Sequence, residues 1–342
     1  MVLPPFPAIR AGRAISAAAG VLIATSSLVA CGAADDAQPQ GSTASIGFPV
    51  TLKNTFGETV VPAKPQRIVT LGWNAQDIVH ALGETPVAMP KITYGPTAAG
   101  ISAWQADWFD PAKTQLLDTG DKYPFEKIAA LKPDVILAPY EGFDKATYET
   151  LSGIAPTVAY PGRPWQTTWQ DQTLLVGQAL GKKAEAEKLI TGLSDKIKKV
   201  ATDHPEFKGK TLAVGSFGPE NWLYMPSDPR VQILNQMGFV NAPGVDALQK
   251  ANSKNEFAVS ISKEKIADAD ADVLIAYVDG LGPQKFTADP IYSSLGAVKR
   301  GSAYALDDPQ VISGMSSVSV VSIPWVLDKM LPSLTKAAQA AN

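Results

Sequence analysis

The side chains best suited to binding chemistry stand just after short hydrophobic runs. Trp73 and Asn74 follow RIVTL (67–71), Tyr140 and Glu141 follow DVILA (134–138), and Arg163 and Trp165 follow TVAY (157–160). In the second half, Trp222 and Tyr224 follow TLAVGS (211–216), and Tyr277 and Asp279 follow DVLIA (272–276). Tyr94, Trp104 and Trp108 occupy the long stretch after a further short run at 87–89, and Arg230 opens the helical pattern beyond Trp222. Arginine offers rigid, planar donors to carboxylate, phenolate or hydroxamate oxygens. Tryptophan and tyrosine offer flat apolar area with one polar handle. The candidate ligand-binding set is therefore Trp73, Tyr94, Tyr140, Arg163, Trp165, Trp222, Tyr224, Arg230 and Tyr277. Each aromatic could instead cover the edge of the core, and each arginine could pair with a local aspartate. Trp169, at a helix start, and Trp325, in the last helical stretch, read as core.

Composition narrows the chemistry further. The 342 residues hold two histidines, His80 and His204, and one cysteine, Cys31. A His-rich or Cys-rich metal site and an internal disulfide are excluded on that count. His80 lies on an amphipathic stretch and His204 ends a long helical one, where a cation suits the helix dipole, so neither is assigned to a metal. There is no Gly-x-Ser-x-Gly elbow, no His-Glu-x-x-His and no P-loop. Among hydrolases that leaves a carboxylate-pair enzyme as the open alternative. A net charge of −3 gives no basic footprint for nucleic acid.

The N-terminal stretch reads as a leader. Residues 1–30 carry two arginines and no acid, with a small, apolar run at 14–30 that is too short for a confident membrane span. The run ends Leu28-Val29-Ala30-Cys31-Gly32, which resembles the lipobox of bacterial lipoproteins and implies lipidation of Cys31. Residues 31–48, rich in Ala, Asp, Gln, Ser and Gly, read as a flexible tether.

These side chains need a scaffold of alternating elements. Strand-like runs at 67–71, 87–89, 134–138 and 157–160 alternate with helical patterns at 75–82, 125–131 and 145–151. The second half repeats the scheme, with strands at 211–216, 272–276 and 303–306 and helices at 230–237, 262–267 and 324–338. Strands separated by helices imply βαβ units and parallel sheets, whose ligands sit beyond the carboxyl ends of the strands. Between the halves, Ala186, Leu189, Ile190, Leu193, Ile197 and Val200 keep helical spacing over 182–204. The expected organisation is an N-terminal lobe at 49–181, an inter-lobe helix at 182–204 and a C-terminal lobe at 205–342. The bland alternative for 182–204 is one more helix packed on a sheet.

Three segments carry a family resemblance. Lys64-Pro65-Gln66-Arg67-Ile68-Val69 is similar to an opening "kPeRIV" strand. Phe125-Glu126-Lys127-Ile128 with Leu131-Lys132-Pro133-Asp134-Val135-Ile136 resembles an "E.I..LkPDvI" signature, and Gly177-Gln178-Ala179-Leu180-Gly181 resembles a "G..lG" approach to the inter-lobe helix. Together they resemble the substrate-binding lipoproteins of bacterial iron–siderophore ABC importers, a group that includes vitamin B12 binders. The resemblance runs from about residue 49 to 338. It implies two Rossmann-like α/β lobes joined by one long helix, with the ligand in the cleft between them. It also implies a non-enzymatic, monomeric protein, anchored through Cys31 on the extracytoplasmic face of the cell membrane, that passes a ferric siderophore to an ABC permease dimer with its ATPase. Cobalamin or haem is the alternative cargo. Iron would arrive already chelated, so no cofactor or protein ligand set is needed. One glutamate per lobe docks the permease in this family, and Glu126 and Glu264 occupy corresponding places before DVIL and DVLI. A favourable acid at a helix start would explain either one alone.

Overall fold

The computed structural model describes residues 47–120 and 122–342, so Cys31, the leader and nearly all of the tether lie outside the described residues. The described chain opens with an antiparallel hairpin, β1 (Val50–Asn54) and β2 (Gly57–Val61). Its alternation places Leu52, Thr59 and Val61 inward. The first sheet then builds through β3 (Ile68–Thr70), α1 (Ala75–Ala81), β4 (Ala88–Pro90), β5 (Gln115–Leu117), α2 (Phe125–Ala130), β6 (Val135–Ala138), α3 (Lys145–Ser152) and β7 (Thr157–Ala159). Its order is β5-β4-β3-β6-β7 and every pair is parallel. Strands β3, β4, β6 and β7 are buried at every position, as expected for a parallel sheet covered on both faces.

Two helices lead out of this sheet. α4 (Trp169–Ala179) is capped by Thr168, whose hydroxyl accepts from Asp171 N. α5 (Lys183–Asp203) has 21 residues, about 30 Å at ~1.5 Å per residue. It packs on α4 behind it and on a helix of the second sheet ahead of it. Gly177 makes the first of these contacts close: a Cβ there would lie 2.4 Å from the Ala186 Cβ.

The second sheet follows through β8 (Thr211–Ser216), β9 (Trp222–Tyr224), α6 (Pro229–Gln236), β10 (Val240–Asn241), α7 (Pro243–Ala251), β11 (Ala258–Ser260) and β12 (Val273–Tyr277). After it come α8 (Pro283–Ala288), α9 (Gly296–Arg300), β13 (Ala303–Leu306), α10 (Pro309–Ser316) and α11 (Ser322–Ala340). The order is β11-β9-β8-β12-β13, with β10 beside the start of β8. β9 and β11 run antiparallel, so this sheet is mixed. Trp222 and Tyr224, which the sequence pattern leaves outside any element, form the ends of β9, a short strand folding back along β8.

The two DV motifs do the same local job. Asp134 Oδ2 accepts from Gln66 and Arg67 N, and Asp272 Oδ2 accepts from Thr211 N. Each aspartate ties the start of its own strand to the start of the neighbouring one. In both sheets the strand order reverses at this pair, β3/β6 and β8/β12. α6 and α10 start alike, with Asp228-Pro229 and Asp308-Pro309, an aspartate N-cap followed by proline at the first helical position.

Candidate ligand-binding site

The reversal of strand order opens a crevice at the carboxyl ends of β3 and β6. Gly72 turns the chain out of β3 with φ +80°, and a Cβ there would lie 2.4 Å from the Tyr140 carbonyl oxygen. Only glycine combines that backbone conformation with that approach. Trp73 and Tyr140 then emerge side by side. Trp165 stands edge-on to both, with ring centroids 6.4 Å from Trp73 and 5.7 Å from Tyr140. Its backbone is left-handed, φ +60°, and its N–H donates to the Glu141 carbonyl.

The opposite wall comes from the second sheet. A cavity is lined by Trp73, Tyr140 and Trp165 on one side and by Tyr224, Arg230, Phe257 and Ser316 on the other. Five of the nine candidates from the sequence thus meet around one space. Phe257 and Ser316 were not among the candidates. Phe257 directly precedes the three-residue edge strand β11, too short to read by periodicity, and Ser316 ends α10, which the pattern did not reveal.

Arg230 is 6% exposed, and each of its three side-chain nitrogens has a partner. Its Nε donates to Asp228 Oδ1 at 2.9 Å, its Nη2 to Asp228 Oδ2 at 2.7 Å and its Nη1 to Ser316 Oγ at 3.2 Å. The guanidinium lies over the Tyr224 ring, 3.6 Å from its centroid. Of the alternatives open to this arginine, the structure has it paired with a local aspartate. The Asp-Pro-Arg triplet held the signal, since an N-cap aspartate sits two residues before it. Burial pushes the Tyr140, Tyr224 and Tyr277 hydroxyls up, so they stay neutral phenols.

The other four candidates lie elsewhere. Tyr277 is 1% exposed and packs behind Tyr224, with ring centroids 5.8 Å apart. Trp222 is 38% exposed at the start of β9, opposite Ser216. Tyr94 donates its hydroxyl to Asp279 Oδ2 at 2.7 Å. Arg163 is exposed and donates to the Lys254 carbonyl at 2.8 Å, and its neighbour Gln166 donates to the Asn255 carbonyl at 2.7 Å. These last contacts join loops of the first sheet to loops of the second.

A second seam joins the halves behind the cavity. Asp77 on α1 is buried and accepts from Trp104 Nε1, Gln105 Nε2 and Ser319 Oγ at 2.7, 2.8 and 2.8 Å. Asn74 Nδ2 donates to Gln172 Oε1 and to the Val318 carbonyl. Trp104 is therefore a buried tie in this seam. Trp169 is buried as expected, whereas Trp325 is half-buried beside Trp104, with Lys329 over its ring. His80 stacks on Trp108, ring centroids 4.4 Å apart, and His204 Nδ1 lies 3.0 Å from Glu206 Oε1 and from Thr335 Oγ1. Among the described residues no group of three or more His, Cys, Asp or Glu is placed to hold a metal ion.

Glu141 sits beside the cavity, 7% exposed, and accepts from the Tyr123 hydroxyl. Burial raises its carboxyl to about 8. The folded state therefore holds a proton that the unfolded chain releases. Stability from this group is complete below pH 4.5 and is lost as pH climbs through 8. Glu141→Gln imitates the protonated acid and is expected to remove that dependence. Urea unfolding from pH 4.5 to 8 should show the parent losing up to about 1.4 kcal/mol per pH unit relative to the variant. Parallel curves would contradict the assignment.

The family model for periplasmic binding proteins matches residues 68–310. The chain is 29% identical over 307 residues to "Probable siderophore-binding lipoprotein YfiY" of Bacillus subtilis, covering 84% of this chain and 88% of that protein. Its fold resembles Streptococcus pneumoniae PiaA, solved in complex with ferrichrome, at a TM-score of 0.77 and 33% identity, over 85% of this chain and 99% of that one. It also resembles Staphylococcus aureus SirA complexed with staphyloferrin B, at a TM-score of 0.69 and 25% identity, over 83% of this chain and 98% of that one. With a matched region that runs from the first strand of one sheet past the last strand of the other, the chain belongs to the periplasmic binding protein family.

Proposed function

We propose that this chain is the substrate-binding component of an ABC importer that captures a ferric siderophore and delivers it to the permease. The observation that carries this reading is the aromatic cavity, whose one wall comes from the strand-end loops of the first sheet and whose other comes from β9, α6, α10 and the residue before β11 in the second. In this reading the sheets belong to two lobes, 49–181 and 205–342, with 182–204 as the helix between them. A monomer suffices, because one chain supplies both walls. The iron travels inside its chelate, so the protein contributes packing and hydrogen bonds and no cofactor. Lipidation at Cys31 would hold the domains at the extracytoplasmic face of the membrane; no described helix is long and apolar enough to cross it. Trp73 and Trp165 make binding visible. Saturable quenching of tryptophan fluorescence by a ferric siderophore at submicromolar concentration is expected. Quenching only by cobalamin or haem would keep the binding role and replace the cargo, and turnover of a bound compound would return the hydrolase reading.

Glu126 and Glu264 are the proposed contacts to the permease dimer. Both are exposed. Glu126 lies in the first turn of α2, which precedes β6, and Glu264 in the first turn of the 3₁₀ helix Lys263–Ala269, which precedes β12. β6 and β12 each hold the fourth place in the five-strand path of their sheet, so the pair occupies matched sites. Charges placed in this way steer and orient association. Glu126→Ala combined with Glu264→Ala is expected to leave siderophore affinity within about twofold of the parent, since exposed charges away from a site contribute little to it, and to abolish uptake by cells. Loss of binding in the purified double variant would refute the docking role.

A further inference from the structure

The charge of the cavity narrows the cargo, given the transport reading above. The lining holds five aromatic side chains, one serine and a single ionised group, Arg230. That group has no spare charge. Asp228, itself 0% exposed, grips the guanidinium through both carboxylate oxygens, and Ser316 takes the remaining nitrogen. The pair sums to zero inside the wall. A further ionised group near this wall is an acid: Asp279 accepts from the Tyr94 hydroxyl and acts on Tyr224 through its charge. Arg163 is exposed, donates to the Lys254 carbonyl and is not part of the lining.

A chelate carrying several negative charges would enter this space without a counter-charge. Transferring an uncompensated ion out of water is expensive, and apposed like charges add to the cost. An uncharged chelate meets no such penalty. It gains from aromatic contact over its faces and from the hydrogen-bonding edge of the guanidinium and serine. We infer that the cavity is built for a ferric chelate without net charge, of the tris-hydroxamate type in which three monoanionic groups balance Fe³⁺, and that it discriminates against trianionic tris-catecholates and anionic carboxylate chelates. Asp228 is the specificity-determining residue, because it cancels the only cation in the wall.

The test compares ferrichrome, a neutral tris-hydroxamate, with a hexadentate ferric tris-catecholate of charge −3 and with ferric citrate, by fluorescence titration of the purified chain at low and at high salt. Ferrichrome is expected to bind at least tenfold more tightly than either anionic chelate, with an affinity that salt leaves unchanged. Equal or tighter binding of an anionic chelate would overturn the inference and leave the siderophore-binding reading intact. Failure of all three to bind would remove that reading, and the inference with it. Asp228→Asn supplies a second, independent arm. Asparagine still caps α6 but no longer neutralises Arg230, so the preference for ferrichrome should fall at least tenfold. A variant that folds, binds ferrichrome and keeps the parent preference would overturn the role of Asp228.

Discussion

Asp77→Ala is expected to cost the fold about 3–5 kcal/mol, because three buried donors lose their acceptor at once and each orphaned group costs roughly 1–3 kcal/mol. The three donors come from two places in the chain, Trp104 and Gln105 from the segment after β4 and Ser319 from the turn before α11, and all converge on one carboxylate of α1. Urea unfolding at pH 7 measures the loss, and a change below about 1 kcal/mol, the scale of one ordinary hydrogen bond, would show that the seam is not held there. The same carboxylate has a pH signature. Burial raises it to about 6 against these three stabilising hydrogen bonds. The folded state thus holds a proton more readily than the unfolded chain, whose value is 3.8. Stability from this group is complete below pH 3.8 and declines as pH rises through 6. Asp77→Asn keeps the shape without the titration, so the decline should vanish in that variant.

Arg230→Met carries the second large effect, expected at about 3–5 kcal/mol of stability, the range for removing one partner of a buried ion pair. The loss comes from Asp228, left with a desolvated charge and only the α6 cap, its acceptance from Arg230 N, in compensation. Removing both charges should be milder than removing one. Asp228→Asn with Arg230→Met is therefore expected to be more stable than Arg230→Met alone. The interaction term of that double-mutant cycle, read by thermal or urea unfolding, isolates the pair. Strict additivity of the two substitutions would mean that they do not act as a unit. Ferrichrome affinity should also drop in Arg230→Met, since the wall loses its hydrogen-bonding edge and the cation over Tyr224.

Sequence periodicity determined the repeated strand–helix alternation, the long helix and the strand ends from which Trp73, Tyr140 and Trp165 project. Buried parallel strands such as β6 and β12 are continuous apolar runs, so they announce themselves. The hairpin β1–β2, the short strands β9 and β11 and the helices α7 to α10 are short or lie among polar residues, where pattern is weak and long-range packing decides. The aromatic candidates were legible as types following strands. Their separation into a cavity set, with Tyr277 behind it and Trp222 and Tyr94 apart from it, was not. That division depends on which loops of the two sheets face one another, and hydrogen bonds between residues as distant as Asn74 and Val318 set it. Only the tertiary structure decided the charge state of the site. The arginine was visible in the chain, but its neutralisation depends on the N-cap geometry of α6 bringing Asp228 back onto the guanidinium, and a buried cation is meaningful only together with the partner that cancels it.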